Sequence, residues 1–300
     1  MSGERFGLAV ALATPFAADG SIDMARLTRH AQWCLANGCR RVTLFGTTGE
    51  GASIDDSERE AVWQALAESK VSGSQLVGGV AASTLASALR QTEQAYAHGA
   101  HAVLLPPPFY FKGVDDEGLF RWFATLIERL GGKARDLLLY NIPSVTSVAL
   151  SLPLVARLAE AFPGVITGVK DSSGDWPYTE ALLAAHAKDL QILVGDERHL
   201  ARAVRSGGAG AISGMANVFP DRLPALADQG KEDPKLLGLV DEICRLPVTA
   251  AVKTLVTLRT GDQGWAHVRP PLSATPEGAM LALRDALERV ARAEAATQAA

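Results

Sequence analysis

Lys170 ends a short apolar run, "PGVITGVKDSSGDW" (residues 163–176), in which Val165, Ile166 and Val169 read as a strand buried on both faces. Asp171, two serines and Gly174 follow, which is turn chemistry. A lysine held against apolar walls loses hydration, and its pKa falls from the free value of ~10.4. The neutral amine can then attack a ketone and form a Schiff base. The iminium accepts an electron pair, so the bond beside the former carbonyl can break or form without a free carbanion. The other reading is an ion pair with Asp171 or another loop carboxylate, and strand-end position alone leaves the two open.

Two further stretches hold reactive groups. Tyr140 closes the apolar run at 137–140, where a phenol either moves a proton at a reacting centre or bonds the rim backbone. "GTTGEG" (residues 46–51) has three glycines, from Gly46 onward, which let backbone approach a ligand while successive N–H groups form an anion nest. Thr47 and Thr48 add hydroxyls. A carboxylate suits this loop better than a dinucleotide, because the spacing is not GxGxxG. The plainer reading is a tight connection between strand and helix. Glu50 is left open between a buried acid and a helix-entry partner. The glycine-rich stretch 206–214, with Ile212 inside it, lets a small ligand lie against backbone.

Other lysines compete poorly. Lys70, Lys133, Lys188, Lys231 and Lys235 fall at helix ends or in polar loops, and Lys112 is a weak rival in the loop after the fourth apolar run. Lys253 interrupts an apolar helix, "VTAAVKTLVTL", and is expected to bury its stem while its amine reaches water. His30, His98, His101, His186, His199 and His267 form no HExxH or HxH pair, and no GxSxG elbow occurs. Neither a metal nor a cofactor is expected.

The elements that must hold these residues alternate. Apolar runs at 7–12, 42–45, 76–80, 102–105, 137–140, 165–169, 192–194 and 211–213 are separated by helical patterns, several opening with Asp or Ser and closing near Gly. Strand–helix alternation implies parallel pairing with right-handed crossovers. Eight such units predict a (β/α)8 TIM barrel over residues 1–216, with its active site at the C-terminal ends of the strands. Residues 217–300 read as a C-terminal helical extension packed on the barrel, with helices at 220–229, 233–245, 249–259 and 276–296.

Composition fits this: 300 residues, 48% hydrophobic and 21% charged, are ample for a core. A net charge of −4 argues against nucleic-acid binding. There is no apolar run long enough to span a membrane and no secretion signal, so a cytoplasmic protein is expected. Cys34, Cys39 and Cys244 form no CxxC pair and read as small buried hydrophobes.

"ATPF" (13–16), "GTTGE" (46–50), "YNIPS" (140–144), "GVKDSSGD" (168–175), "GDE" (195–197) and "RPPL" (269–272) together resemble the dihydrodipicolinate synthase / N-acetylneuraminate lyase family, in order along almost the whole chain. The resemblance implies a pyruvate-dependent class I aldolase and a homo-oligomer, tetramer or dimer. It implies that Lys170 forms the Schiff base with a 2-keto acid and that Tyr140 shuttles the proton. Thr47, Thr48 and Gly46 would bind the keto-acid carboxylate. Tyr110 matches a tyrosine that the synthases donate across a subunit interface. The synthases carry an arginine where Val145 stands, and Val145 cannot supply its bidentate grip. The neuraminate lyases usually read GSTGE and lack "KDSSGD". What remains resembles the sugar-acid branch: a lyase acting on a 2-keto-3-deoxy sugar acid or similar 2-keto acid, with Ser144, Thr146 and Ser147 as candidate hydroxyl-binding groups. The alternatives are 4-hydroxy-tetrahydrodipicolinate synthase and a dehydratase using the same Schiff base.

Overall fold

Eight strands pair in sequence order and close into a parallel barrel, the last against the first. They are β1 (Gly7–Ala11), β2 (Arg41–Leu44), β3 (Leu76–Gly79), β4 (Ala102–Leu105), β5 (Leu137–Asn141), β6 (Ile166–Asp171), β7 (Gln191–Val194) and β8 (Gly210–Ser213). The computed structural model describes residues 5–298, with side chains through residue 292. Successive side chains on a strand point to opposite faces. In β1, β4 and β5 alternate residues pack in the lumen (Ala9 and Ala11, Ala102 and Leu104, Leu138 and Tyr140). Their neighbours Leu8, Val10, Val103, Leu105, Leu137 and Leu139 pack outward on the helices. Both faces are thus dry, which is why the strands read as unbroken apolar runs.

The surrounding helices begin where short polar side chains can take orphan N–H groups. Asp23, Asp55, Thr84, Asp115 and Ser151 cap Met24–Ala36, Asp56–Glu68, Leu85–Ala97, Asp116–Leu130 and Leu152–Ala161 in this way. Trp176–His186, between β6 and β7, lacks the signal: Asp175 precedes it without a side-chain cap. After β8 come Leu223–Gln229, Pro234–Cys244, Val248–Thr260 and Glu277–Gln298, within a few residues of the expected positions. No helix among the described residues is long and apolar enough to cross a membrane.

One cysteine expectation needs correction. Cys34 and Cys39 are buried, but Cys244 is exposed. Pro234–Cys244 buries Leu236, Leu239, Val240 and Ile243, and the next step along the helix turns Cys244 away from that face.

His30 ties the first helix to the barrel end. Its Nε2 lies 3.2 Å from Asn217 Oδ1, which also accepts the Ala13 N–H at 2.9 Å. Burial lowers its pKa from 6.5 to about 4, against a smaller opposing effect of the Asn217 contact. As pH falls below 6.5 the unfolded chain takes a proton that the folded chain refuses until pH 4, so stability declines through that window. The total is about 3 kcal/mol by linkage. His30→Gln is expected to flatten the stability–pH slope between pH 6.5 and 4, measured by urea unfolding at a series of pH values. An unchanged slope would contradict the assignment.

Candidate active site

An irregularity in β6 sets the position of Lys170. Leu137 pairs with Ile166, but Leu138 pairs with Gly168, so the register shifts by one residue at Thr167. Beyond the shift Tyr140 pairs with Lys170 and Asn141 with Asp171. Because the side-chain period is two, the shift puts Lys170 on the face of lumenal Tyr140. Both are buried near the C-terminal ends of their strands. Lys170 Nζ donates to Tyr140 Oη at 3.2 Å and lies 4.3 Å from the ring centroid.

Asp171 does not pair with the amine. Its Oδ1 accepts from Asn141 Nδ2 (2.9 Å) and Ser173 N (3.1 Å), and its Oδ2 from Ser173 Oγ (3.0 Å) and Thr179 Oγ1 (2.6 Å). Neutral donors satisfy this carboxylate outside the lumen, and none of the ion pairs among the described residues includes Lys170. Gly195, after β7, flanks the lysine: a Cβ there would stand 2.9 Å from Lys170 Cε and closer still to Ser172 Oγ. The strand end therefore requires glycine for the lysine stem to pass.

The GTTGEG loop follows β2 and is fixed from three sides. Inside it, Glu50 N donates to Thr47 O and Gly51 N to Gly46 O, both at 3.1 Å. Gly51 is obligatory, since a Cβ would collide with Phe45 O. Thr14 Oγ1 holds Gly49 O at 2.7 Å and Thr249 Oγ1 holds Thr47 O at 3.1 Å. None of the backbone hydrogen bonds among the described residues uses the Thr47 or Thr48 N–H, which leaves both for an anion. Thr47 Oγ1 lies 3.5 Å from Tyr140 Oη, so the phenol bridges loop and lysine. Thr48 is buried, and its Oγ1 faces Gly214.

Glu50 is a buried acid, and its partner corrects the reading of Lys253. The Lys253 amine is buried rather than in water and pairs with Glu50 Oε1. It also donates to His267 O at 2.6 Å and lies 4.4 Å from the Phe16 ring centroid. Burial holds its pKa below the ordinary lysine value, against the opposing pull of Glu50. Glu50 Oε2 accepts the Arg269 N–H at 2.8 Å, and the Arg269 guanidinium pairs with Glu58 and binds the Ser53 carbonyl (2.7 Å). The helix Val248–Thr260 and the segment carrying Arg269 thus clamp the loop from the C-terminal side.

A cavity of about 290 Å³ adjoins this group, although Lys170 and Thr48 themselves do not line it. Gly46, Thr47 and Tyr140 line it, with Val145 and Thr146 from the short helix Pro143–Thr146. Ser144 is exposed and lies off the cavity wall, as does Ser147. Ile212 is buried in the lumenal cluster that includes Tyr140, without reaching this cavity. Tyr110 is 76% exposed, stacked edge-on with Phe111, and does not line the chain's own cavity. Lys112 donates to the carbonyls of Phe109 and Thr146, the latter at 2.8 Å, which removes it as a rival amine.

A (β/α)8 barrel with an unpaired lysine and a phenol joined at its C-terminal face has the construction of a class I, Schiff-base aldolase or lyase. The chain belongs to the dihydrodipicolinate synthetase family, whose model matches residues 5–290, a family of pyruvate-dependent enzymes of that class. An uncharacterized DapA-like lyase of Chloroflexus aurantiacus is 31% identical over 295 residues, 96% of this chain and 97% of the relative. The crystal structure of dihydrodipicolinate synthase from Agrobacterium tumefaciens superposes with a TM-score of 0.93 at 49% identity, covering 95% of this chain and 99% of that one. A chloride-inhibited dihydrodipicolinate synthase from Acinetobacter baumannii, complexed with pyruvate, gives 0.82 at 29% identity, covering 94% and 98%.

Proposed function

We propose that the protein breaks, or in reverse makes, the C3–C4 bond of a 4-hydroxy-2-keto acid of the 2-keto-3-deoxy kind, with Lys170 as the Schiff-base nucleophile. The carrying observation is the 3.2 Å bond from a carboxylate-free amine to Tyr140. The Thr47 and Thr48 N–H groups and hydroxyls hold the substrate carboxylate, which fixes C2 over the amine. Nζ attacks C2, water leaves, and an iminium forms. Tyr140, relayed through Thr47, removes the C4 hydroxyl proton as the C3–C4 electron pair moves into the iminium. An aldehyde departs, the enamine takes that proton at C3, and hydrolysis frees pyruvate and Lys170. No oxidant or reductant is needed.

The names of the relatives favour a second reading, 4-hydroxy-tetrahydrodipicolinate synthase, in which the same enamine attacks aspartate semialdehyde. Val145 on the cavity wall offers that aldehyde's carboxylate no cation. A dehydratase would share every step up to the iminium and expel water instead. The exposed Tyr110 ring is proposed to serve a neighbouring copy in a dimer or tetramer. Three unpaired cysteines accord with a cytoplasmic setting. Borohydride trapping with pyruvate, followed by peptide mass mapping, is expected to modify Lys170. Modification elsewhere, or none, would reject the mechanism.

A further inference from the structure

The cavity wall beyond Tyr140 limits what can be attached at C4. This inference rests on the reading above, which puts C2 at Lys170, beside the Tyr140 that lines the cavity, and leaves the cavity to the aldehyde half. Phe45, Leu104, Phe109, Ile142, Val145 and Leu272 are the large apolar side chains of that wall. No arginine, lysine or histidine lines it. Its polar side chains are nearly all occupied. Glu50 is held by Lys253 and the Arg269 N–H. Thr146 Oγ1 bonds the carbonyls of Ile142 (3.0 Å) and Val148 (2.8 Å) and accepts the Val148 N–H. Thr249 gives its proton to Thr47 O. Thr47 and Tyr140 belong to the reacting centre. Ser53 alone has a side chain without a partner among the described residues.

A second carboxylate on the aldehyde half would leave water with no cation to meet it. A chain of hydroxyls would find one free partner and otherwise lose its hydration uncompensated. We infer that the aldehyde half is an apolar body, aromatic or branched aliphatic, so that the condensation is RCHO + CH3COCOO⁻ → RCH(OH)CH2COCOO⁻ with R a hydrocarbon group. The cavity is at the small end of ligand pockets, which limits R to about one ring.

The test uses the full-length protein with pyruvate and, in parallel, benzaldehyde, isobutyraldehyde, glyceraldehyde and succinic semialdehyde, following adduct formation by chromatography. Benzaldehyde or isobutyraldehyde is expected to exceed both polar aldehydes in kcat/KM by about 10²-fold. Equal or reversed preference, or turnover of no apolar aldehyde, overturns the inference. Borohydride trapping of pyruvate in the same samples separates the causes. With trapping at Lys170 intact, a failed preference sinks the wall argument alone; without it, the Schiff-base reading fails first. Val145→Arg, at a position 58% exposed where the fold tolerates a long side chain, is expected to raise the succinic semialdehyde rate relative to benzaldehyde at least tenfold. An unchanged ratio would mean that this wall does not face the aldehyde.

Discussion

Lys170→Met is expected to lower pyruvate release by at least about 10⁴-fold, the scale on which removing a covalent nucleophile acts. Methionine keeps the length and apolar stem but has no lone pair able to condense with a ketone. The loss should fall on kcat, because the Thr47 and Thr48 groups that grip the carboxylate remain. Borohydride trapping should disappear in parallel. Thermal stability should hold or rise, since the substitution puts an apolar side chain of similar length where a buried amine has no carboxylate partner. A variant retaining a tenth of the rate would show that another group does the chemistry.

Lys253→Met is expected to produce the largest change in stability. It strands the Glu50 carboxylate, whose side chain has no exposure at all, without its cation. Breaking one side of such a pair costs about 3–5 kcal/mol. For a chain of this length that corresponds to a fall in Tm on the order of 10 °C. Combining Lys253→Met with Glu50→Gln removes both charges and should recover most of the loss, which makes the effect a coupling rather than a packing defect. Thermal melts of the two single variants and the double variant measure this directly. A single variant melting within about 2 °C of the parent would contradict the pairing.

The barrel was legible because the strands are dry on both faces and most of the helices between them open on a polar cap, signals carried within a dozen residues. Lys170 and Tyr140 were legible for a similar reason: a charge or phenol ending an apolar run stands out against its neighbours. Their standing at one level on adjacent strands also follows from the order of the apolar runs, but the register shift at Thr167 that pairs them leaves no mark in residue type. Nor could the fate of Glu50 be read, since its partner lies 203 positions away. Reading Lys253 as a snorkelling side chain failed on the same point: burial of an ammonium depends on a carboxylate that only the closed barrel brings to it. Ser144 looked able to bind because of its type, yet the turn Pro143–Thr146 faces it outward and presents Val145 and Thr146 to the cavity.

The extra residue in β6 makes reactivity a matter of parity. Pairing the same strand without the shift, so that Thr167 rather than Gly168 met Leu138 and Lys170 met Asn141, would leave eight strands able to close a ring, with the same composition, yet swing the amine to the helix side of the wall. Such a protein would be folded and inert. Loss of catalysis in this architecture therefore requires no damage to a reacting group, only an even count where an odd one is needed.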